Sequence, residues 1–292
     1  RDLPEEERIP LIEKFRKMYE TMDFYVLYNR FLKKEGYQTL PRRPLEKRKL
    51  RYEDVYPVLY LKYRLSRQAE RSNIKHLVID EMQDYSRLQY LIIRRMFSCK
   101  MTILGDRAQT MADQQQDVLQ FLPGIFGKDL RRIEMRKSYR NTVEIASYAA
   151  NLIGVTDLEL FERHGIPVVE RDVTDLEAAL REAVDTLFPE EKTYETAAVI
   201  VPDEKTAERA YLILREILAE KDFDCEKRLS WLNRDSSSFK KGLTVTTFYL
   251  AKGLEFDQVF SIFPKDEKRE IMMQAQYIAA TRALHELRVY HI

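Results

Sequence analysis

The sequence predicts an α/β fold, with parallel sheets preceded by a helical segment. Short apolar runs alternate with helix-length amphipathic stretches from residue 74 to the C-terminus, the order that gives parallel strands joined by right-handed crossovers. Residues 1–70 instead carry apolar positions at helical spacing. With 292 residues and 45% hydrophobic content the chain is long enough to bury two cores.

Taken in order, Pro4-Glu5-Glu6-Glu7 places acids at the positive end of a helix dipole. Ile9, Ile12, Phe15 and Tyr19 follow at helical spacing. A second helix is expected over 24–32, stopping at Gly36. Arg42, Arg43, Lys47, Arg48, Lys49 and Arg51 form a basic cluster broken by Pro41 and Pro44. Such a run is ordinarily a solvated loop, with phosphate binding the alternative. Residues 52–65 read as a third helix, in which Pro57 is tolerable only near the first turn. Strands over 74–79 and 101–104 then flank a helix over 88–97, and a strand over 131–135 leads to a helix over 141–153.

A second alternation runs through strand 166–170, helix 176–188, strand 197–201, helix 204–221, strands 243–248 and 258–263, helix 271–283 and strand 287–290. Two lobes would meet near residues 130–138, giving regions 1–70, 71–134 and 135–292. The Asp235-Ser236-Ser237-Ser238 stretch reads as an exposed loop.

A third of the residues are charged, yet the formal net charge is only +1. Any nucleic-acid footprint must therefore be local. Cys99 and Cys225 show neither pairing nor metal-ligand spacing and fit a reducing cytoplasm. With no signal peptide and no apolar run long enough to span a bilayer, the expected location is cytoplasmic, with no membrane partner. Opening on Arg1-Asp2 without Met, and closing straight after an apolar strand, the chain reads as an excised fragment.

The strongest signal is His76-Leu77-Val78-Ile79-Asp80-Glu81-Met82-Gln83-Asp84. An apolar run delivers adjacent carboxylates to the C-terminal mouth of a strand read as buried, where open α/β sheets collect ligands. Nucleotide hydrolases use this arrangement, one carboxylate holding Mg²⁺ and the other polarising the attacking water. An acidic solvated loop is the plain alternative. Further along, Thr102-Ile103-Leu104-Gly105-Asp106-Arg107-Ala108-Gln109 is a strand ending in Gly-Asp. There Gly105 would let the backbone turn sharply, and Gln109 could reach a terminal phosphate.

In Lys137-Ser138-Tyr139-Arg140-Asn141, Tyr139 offers a face to an adenine and Arg140 a fork to phosphate oxygens. A helix cap with a stacked surface pair would look the same. Thr247-Phe248-Tyr249-Leu250-Ala251-Lys252-Gly253-Leu254-Glu255-Phe256-Asp257 is a Lys-Gly turn between apolar strands. Tyr277-Ile278-Ala279-Ala280-Thr281-Arg282-Ala283 is a small-residue helix from which Arg282 would act as an arginine finger. The acidic pair falls on the first lobe, and Arg140 and Arg282 on the second. Trp231, Phe248 and Tyr249 could stack on bases, although a lone Trp is more often core.

In this order and spacing the strings resemble the UvrD/Rep superfamily 1 helicases, in particular the HelD-type (helicase IV-like) branch. The likeness extends from residue 74 to the end. It implies two RecA-like lobes, the first incomplete, acting with ATP and Mg²⁺ on single-stranded or forked DNA. RNA polymerase is an alternative partner, because members of this branch act on the transcription machinery. By resemblance, Asp80 would hold Mg²⁺ and Glu81 would activate water, while Gln83 and Gln109 would sense the γ-phosphate. Tyr139 would stack on the base and Arg140 would reach the γ-phosphate. Glu255 would bind the ribose, with Lys252 and Gly253 shaping its turn, and Arg282 would be the second γ-phosphate arginine.

The sequence departs from the family pattern in places. Met82 stands where alanine is usual, and Tyr249 where histidine is common. The stretch from Arg140 to Thr247 is too short for the large inserted subdomain of the UvrD type, which favours the HelD branch. No Gly-x-x-x-x-Gly-Lys-Ser/Thr occurs in the 292 residues. Without that phosphate cradle, the isolated fragment is expected to hydrolyse ATP negligibly.

Overall fold

The computed structural model describes residues 4–17, 21, 23–65, 71, 73–106, 109, 117–127, 130–135, 137–155, 159–221, 223–236, 241–265 and 270–292. Tyr19, Ser237 and Ser238 lie outside these. The chain divides into two compact units, residues 1–106 with 112–131, and residues 107–111 with 132–292.

The first unit begins with α1 (Glu5–Lys17) and α2 (Phe24–Lys34). Asp23 caps α2, its carboxylate accepting from the Tyr25 and Val26 amides. α3 (Tyr52–Leu65) continues through Pro57, which lies in its second turn rather than its first. Tyr25, Tyr28 and Leu32 of α2 form a small core with Leu40, against which Val58 and Leu61 of α3 pack. Buried among them, Asp54 accepts from the Tyr28 hydroxyl at 2.8 Å and from Arg51 Nε at 2.7 Å, which satisfies the charge.

β1 (His76–Ile79) and β2 (Lys100–Ile103) then pair in parallel, His76 opposite Lys100 and Ile79 opposite Ile103. Between them runs α4 (Arg87–Met96), started by a Ser86–Gln89 capping box. The expectation that β1 is buried needs correcting, since only Ile79 is buried and Val78 is 60% exposed. Among the described residues β1 has one neighbouring strand, and His76 and Val78 are exposed. A helix that the sequence reading missed, α5 (Val118–Phe126), completes this core by packing Val118 and Leu122 onto Ile79 and Tyr90.

Residues 131–135 form no strand and are exposed, with Met135 at 86%. Pairing begins later, between β3 (Lys137–Ser138) and β4 (Glu159–Leu160). The alternating Ile133 and Met135 imitate a strand, but no partner backbone meets them among the described residues.

Among the described residues, the main sheet of the second unit has six strands whose pairings are all parallel, in the order β5 (Val169–Asp172), β10 (Ala283–His291), β9 (Phe256–Phe263), β6 (Thr196–Val201), β8 (Gly242–Thr247), β7 (Leu229–Trp231). Period-two alternation explains its two cores. Ala197, Val199 and Val201 face α7 (Leu176–Asp185) and α8 (Glu204–Ala219). Ala198 and Ile200 face α6 (Val143–Leu152) and α10 (Glu270–Ala280). The α/β class with parallel sheets is therefore as expected. α10 ends at Ala280 rather than 283, and β10 takes up the chain from Ala283. The short α9 (Cys225–Arg228) and edge strand β7 have no apolar run long enough to announce them.

Gly242 opens β8 at φ +118°, and a Cβ there would collide with the backbone carbonyl of Arg228. Gly242→Ala should therefore destabilise the second unit by about 1–3 kcal/mol. A lower urea midpoint read by Trp231, the only tryptophan, would show it; an unchanged midpoint would contradict it.

Candidate functional site

In the first unit the acidic residues stand where the parallel pair ends. β1 delivers Asp80, exposed, and then Glu81, half-buried at φ 52°, ψ 52°. A non-glycine residue in this left-handed region costs about 1–3 kcal/mol unless its surroundings hold it there. They do. Asp80 Oδ1 accepts from the Glu81 amide at 2.8 Å, and the Met82 amide donates to Leu104 O at 2.8 Å. From below, the Tyr90 hydroxyl donates to Met82 O at 3.1 Å.

Gln83 ties the two strand ends together. Its Nε2 donates to Glu81 Oε2 at 2.5 Å, and its Oε1 accepts from the Asp106 amide at 3.1 Å. Gln83 is buried, so this amide is a fixed strut between the Glu81 carboxylate and the exit of β2. Gly105 makes the approach possible, but not by turning. Its φ is not positive. A Cβ at 105 would instead strike the Gln83 side chain and stand 2.7 Å from the Met82 amide nitrogen. The expected sharp turn is thus replaced by a need for close backbone approach. Gln109 is buried, while Arg107 and Ala108 of the same string lie outside the described residues.

In the second unit, residues far apart in sequence converge beside the N-terminal ends of β9 and β10. Arg140 Nε lies 2.7 Å from Glu255 Oε1, with both side chains about half exposed. Asn141 is buried and donates to Ala283 O at 2.7 Å and Thr281 O at 3.3 Å, locking the start of α6 to the start of β10. Arg282 follows the end of α10 instead of projecting from it, and it is only 2% exposed. Its guanidinium donates to Ile278 O, Leu254 O and Thr281 Oγ1 at 3.2–3.3 Å. The Leu254 bond brings it next to Glu255. Lys252 and Gly253 (φ +82°) form the turn leading there. β9 is anchored just beyond, where Asp257 Oδ2 accepts from the Glu195 amide and from the amide and hydroxyl of Thr196, each at 2.9 Å. Burial alone would raise the Asp257 pKa, but these bonds outweigh it and hold the carboxyl below its ordinary value.

Tyr139 is 60% exposed, and its ring lies 5.6 Å from that of Phe161. Lys137 Nζ stands 5.6 and 5.8 Å from the two ring centroids. Phe161 escaped the sequence reading because the β3–β4 pair that positions it is only two residues long. Glu144 escaped as well. In the first turn of α6 it accepts from the Gly165 amide at 2.8 Å and lies 3.0 Å from His164 Nδ1. Those contacts, the Gly165 amide foremost, hold its pKa down to about 2. Of the candidate stacking residues, Phe248 is buried, and Trp231 packs on Tyr211 at the edge of the core. Tyr249 is half-buried against the Phe248 ring.

Among the described residues no helix is long and apolar enough to cross a membrane, and no group of three or more His, Cys, Asp or Glu could hold a metal. Residues 4–111 match the family model of the UvrD/REP helicase N-terminal domain. That region contains Asp80, Glu81, Gln83 and Gln109. A search of curated proteins returns no significant match. Similar solved structures include the C-terminal domain of a possible DNA helicase from Lactobacillus plantarum WCFS1, 23% identical over 53% of this chain and 88% of that one, with a TM-score of 0.40. The PRRSV helicase is 17% identical, covering 74% of this chain and 35% of its own, with a TM-score of 0.41. Arterivirus nonstructural protein 10 (helicase) in complex with DNA is 14% identical, over 74% and 39%, also at 0.41. The chain therefore spans little more than a third of either viral helicase.

Two outcomes are expected in the second unit. Asn141→Ala strands two buried carbonyls and should cost about 1–3 kcal/mol in urea unfolding; a neutral result would show that the amide does not hold this corner. The depressed Glu144 pKa gives stability that is present above its ordinary value of 4.5 and lost as pH falls toward 2. Glu144→Gln should thus flatten the acid loss across that window. An identical acid profile in wild type and variant would refute this.

Proposed function

We propose that this chain is the catalytic part of an ATP-dependent DNA helicase or single-strand translocase of the HelD type, with ATP hydrolysed in the cleft between two RecA-like lobes. The observation carrying the reading is the exit of β1 and β2. There Asp80, Glu81 and the Gln83 strut are assembled at a parallel strand end, inside the region that matches the UvrD/REP helicase N-terminal domain.

The residues present fit Mg²⁺ and ATP. Asp80 offers an exposed, hard carboxylate at the strand end, and Mg²⁺ is ordinarily held by one or two carboxylates with water and substrate phosphates completing the shell. Bound there, the ion would neutralise charge on the phosphate oxygens. Glu81 would take the proton of the attacking water, its carboxylate held in one orientation by Gln83. Gln83 and Gln109 would respond to the γ-phosphate. From the second lobe, Arg140 would face the transferring phosphoryl group, and Arg282 would join it after releasing the Leu254 carbonyl that now holds its buried guanidinium. Tyr139 would carry the base on its exposed ring. Glu255 would take the ribose after parting from Arg140, with Lys252 and Gly253 setting the height of its turn. The partner would be single-stranded or forked DNA, in the cytoplasm.

Mg²⁺-dependent ATP hydrolysis by the full-length parent, with and without single-stranded DNA, tests the reading. Glu81→Gln should lower kcat by at least about a hundredfold, and DNA should stimulate the wild type. Turnover indifferent to DNA would favour an ATP-gated factor acting on RNA polymerase, and no turnover would remove the motor reading. The 292-residue chain, holding no P-loop string, should bind ATP at roughly millimolar affinity or weaker. Micromolar binding with turnover by this chain would contradict that.

A further inference from the structure

We propose that the loop following α2 is a binding site for the phosphodiester backbone of a nucleic acid, centred on Arg43 and Lys49. The inference rests on the nucleic-acid reading above but concerns a place in the first unit remote in sequence from its acidic residues. Residues 35–51 carry Arg42, Arg43, Lys47, Arg48, Lys49 and Arg51 against Glu35 and Glu46. This is a local positive excess in a chain of net charge +1.

A merely solvated basic loop would be loosely tethered, and this one is not. Asn29 grips Leu40 from both sides, Oδ1 accepting from its amide at 2.6 Å and Nδ2 donating to its carbonyl at 3.1 Å. The Tyr25 hydroxyl donates to Pro41 O at 2.7 Å. Two of the cations belong to this frame. Arg48 pairs with Asp23 at 2.7 Å, donates to Arg43 O at 3.0 Å and lies 4.7 Å over the Tyr25 ring. Arg51 is held by Asp54 at 2.7 Å.

The others are uncommitted. Among the described residues, the side chains of Arg42, Arg43, Lys47 and Lys49 make no hydrogen bond or ion pair, and all four are exposed. Arg43 and Lys49 line an open cavity of about 410 Å³ together with Arg51, Tyr25 and Gln38. A tethered loop backbone favours an anion, because its ordering cost has already been met within the fold and only the side chains remain to be fixed. The guanidinium of Arg43 presents a planar fork to phosphate oxygens, and Lys49 a point charge. Arg42 and Lys47, exposed and close by in the chain, do not line the cavity. A single phosphate would leave them unused, whereas a chain of phosphates would engage them.

The test measures binding of the 292-residue chain to fluorescent oligonucleotides, single-stranded and duplex, across a salt series. Arg43→Gln/Lys49→Gln removes two charges whose side chains have no ion-pair or hydrogen-bond partner among the described residues, and thermal melts should match the wild type. The expected result is about tenfold weaker binding at low salt. The slope of log K against log salt should also fall by about 1.4 on single strands or 1.8 on duplex, and the arm that follows its value assigns the form of nucleic acid. Lys192→Gln/Lys205→Gln carries the same charge change at exposed positions of the second unit and should bind as the wild type does. Unchanged affinity and slope in the first variant, or an equal loss in the control, would overturn the proposal. So would tripolyphosphate binding that shows the loss while oligonucleotides do not. These failures leave the motor reading standing, since that falls only with the Glu81→Gln hydrolysis assay.

Discussion

Burial of β6 on both faces is the constraint on which the second unit depends. Ala197 to Val201 are wholly inaccessible, flanked by β8 and β9 and covered by a helical layer on each side. A strand in that position has no solvent face, so polar side chains with chemical work to do are confined to the ends of the sheet. The candidate residues follow this rule. Glu255 immediately precedes β9, Arg282 immediately precedes β10, and Asp257 pins the entry of β9 to Thr196 at the start of β6. In the first unit the acidic pair lies at the opposite kind of end, where β1 runs out.

The two groups of residues are held by different means. Around Glu81 the fixing force is backbone proximity, since the missing side chain of Gly105 leaves room for the Gln83 strut and for Met82. Around Arg140 it is a buried side-chain amide, with Asn141 bonded to two carbonyls near β10. The Arg140–Glu255 pair contributes little by comparison. An exposed ion pair is worth about 0–1 kcal/mol, so the two side chains can part for a ligand at small cost while Asn141 keeps the backbone in place. The same division recurs in the basic loop, where Arg48 and Arg51 build the frame and Arg43 and Lys49 stand clear of it.

Some of this was legible in the residues and some was not. The unbroken apolar run of β6 and the helical periodicity of α8 declare themselves within a few positions, because burial imposes its period locally, and the acidic string after β1 does so by its composition alone. The segment 131–135 has the same local period without being a strand, for a strand also needs a partner backbone. Gly105 shows the limit in another form. Its sequence context suggests a turn, whereas the reason for glycine there is the side chain of Gln83 arriving from the helical turn after β1. Phe161 and Glu144 had no local signal at all, since each acts on residues brought near by a two-residue pairing or a helix start.

By itself, then, the sequence determined most of the alternation of strands and helices, the parallel α/β class and the order of the polar strings that lie at strand ends. Only the tertiary structure decided which of them meet. Arg140 reaches Glu255, and Arg282 turns inward to the carbonyl before it, because the sheet order sets β9 beside β10 and α6 packs against α10. Strand order depends on how two faces of a whole sheet are covered, and no local period in the chain records that.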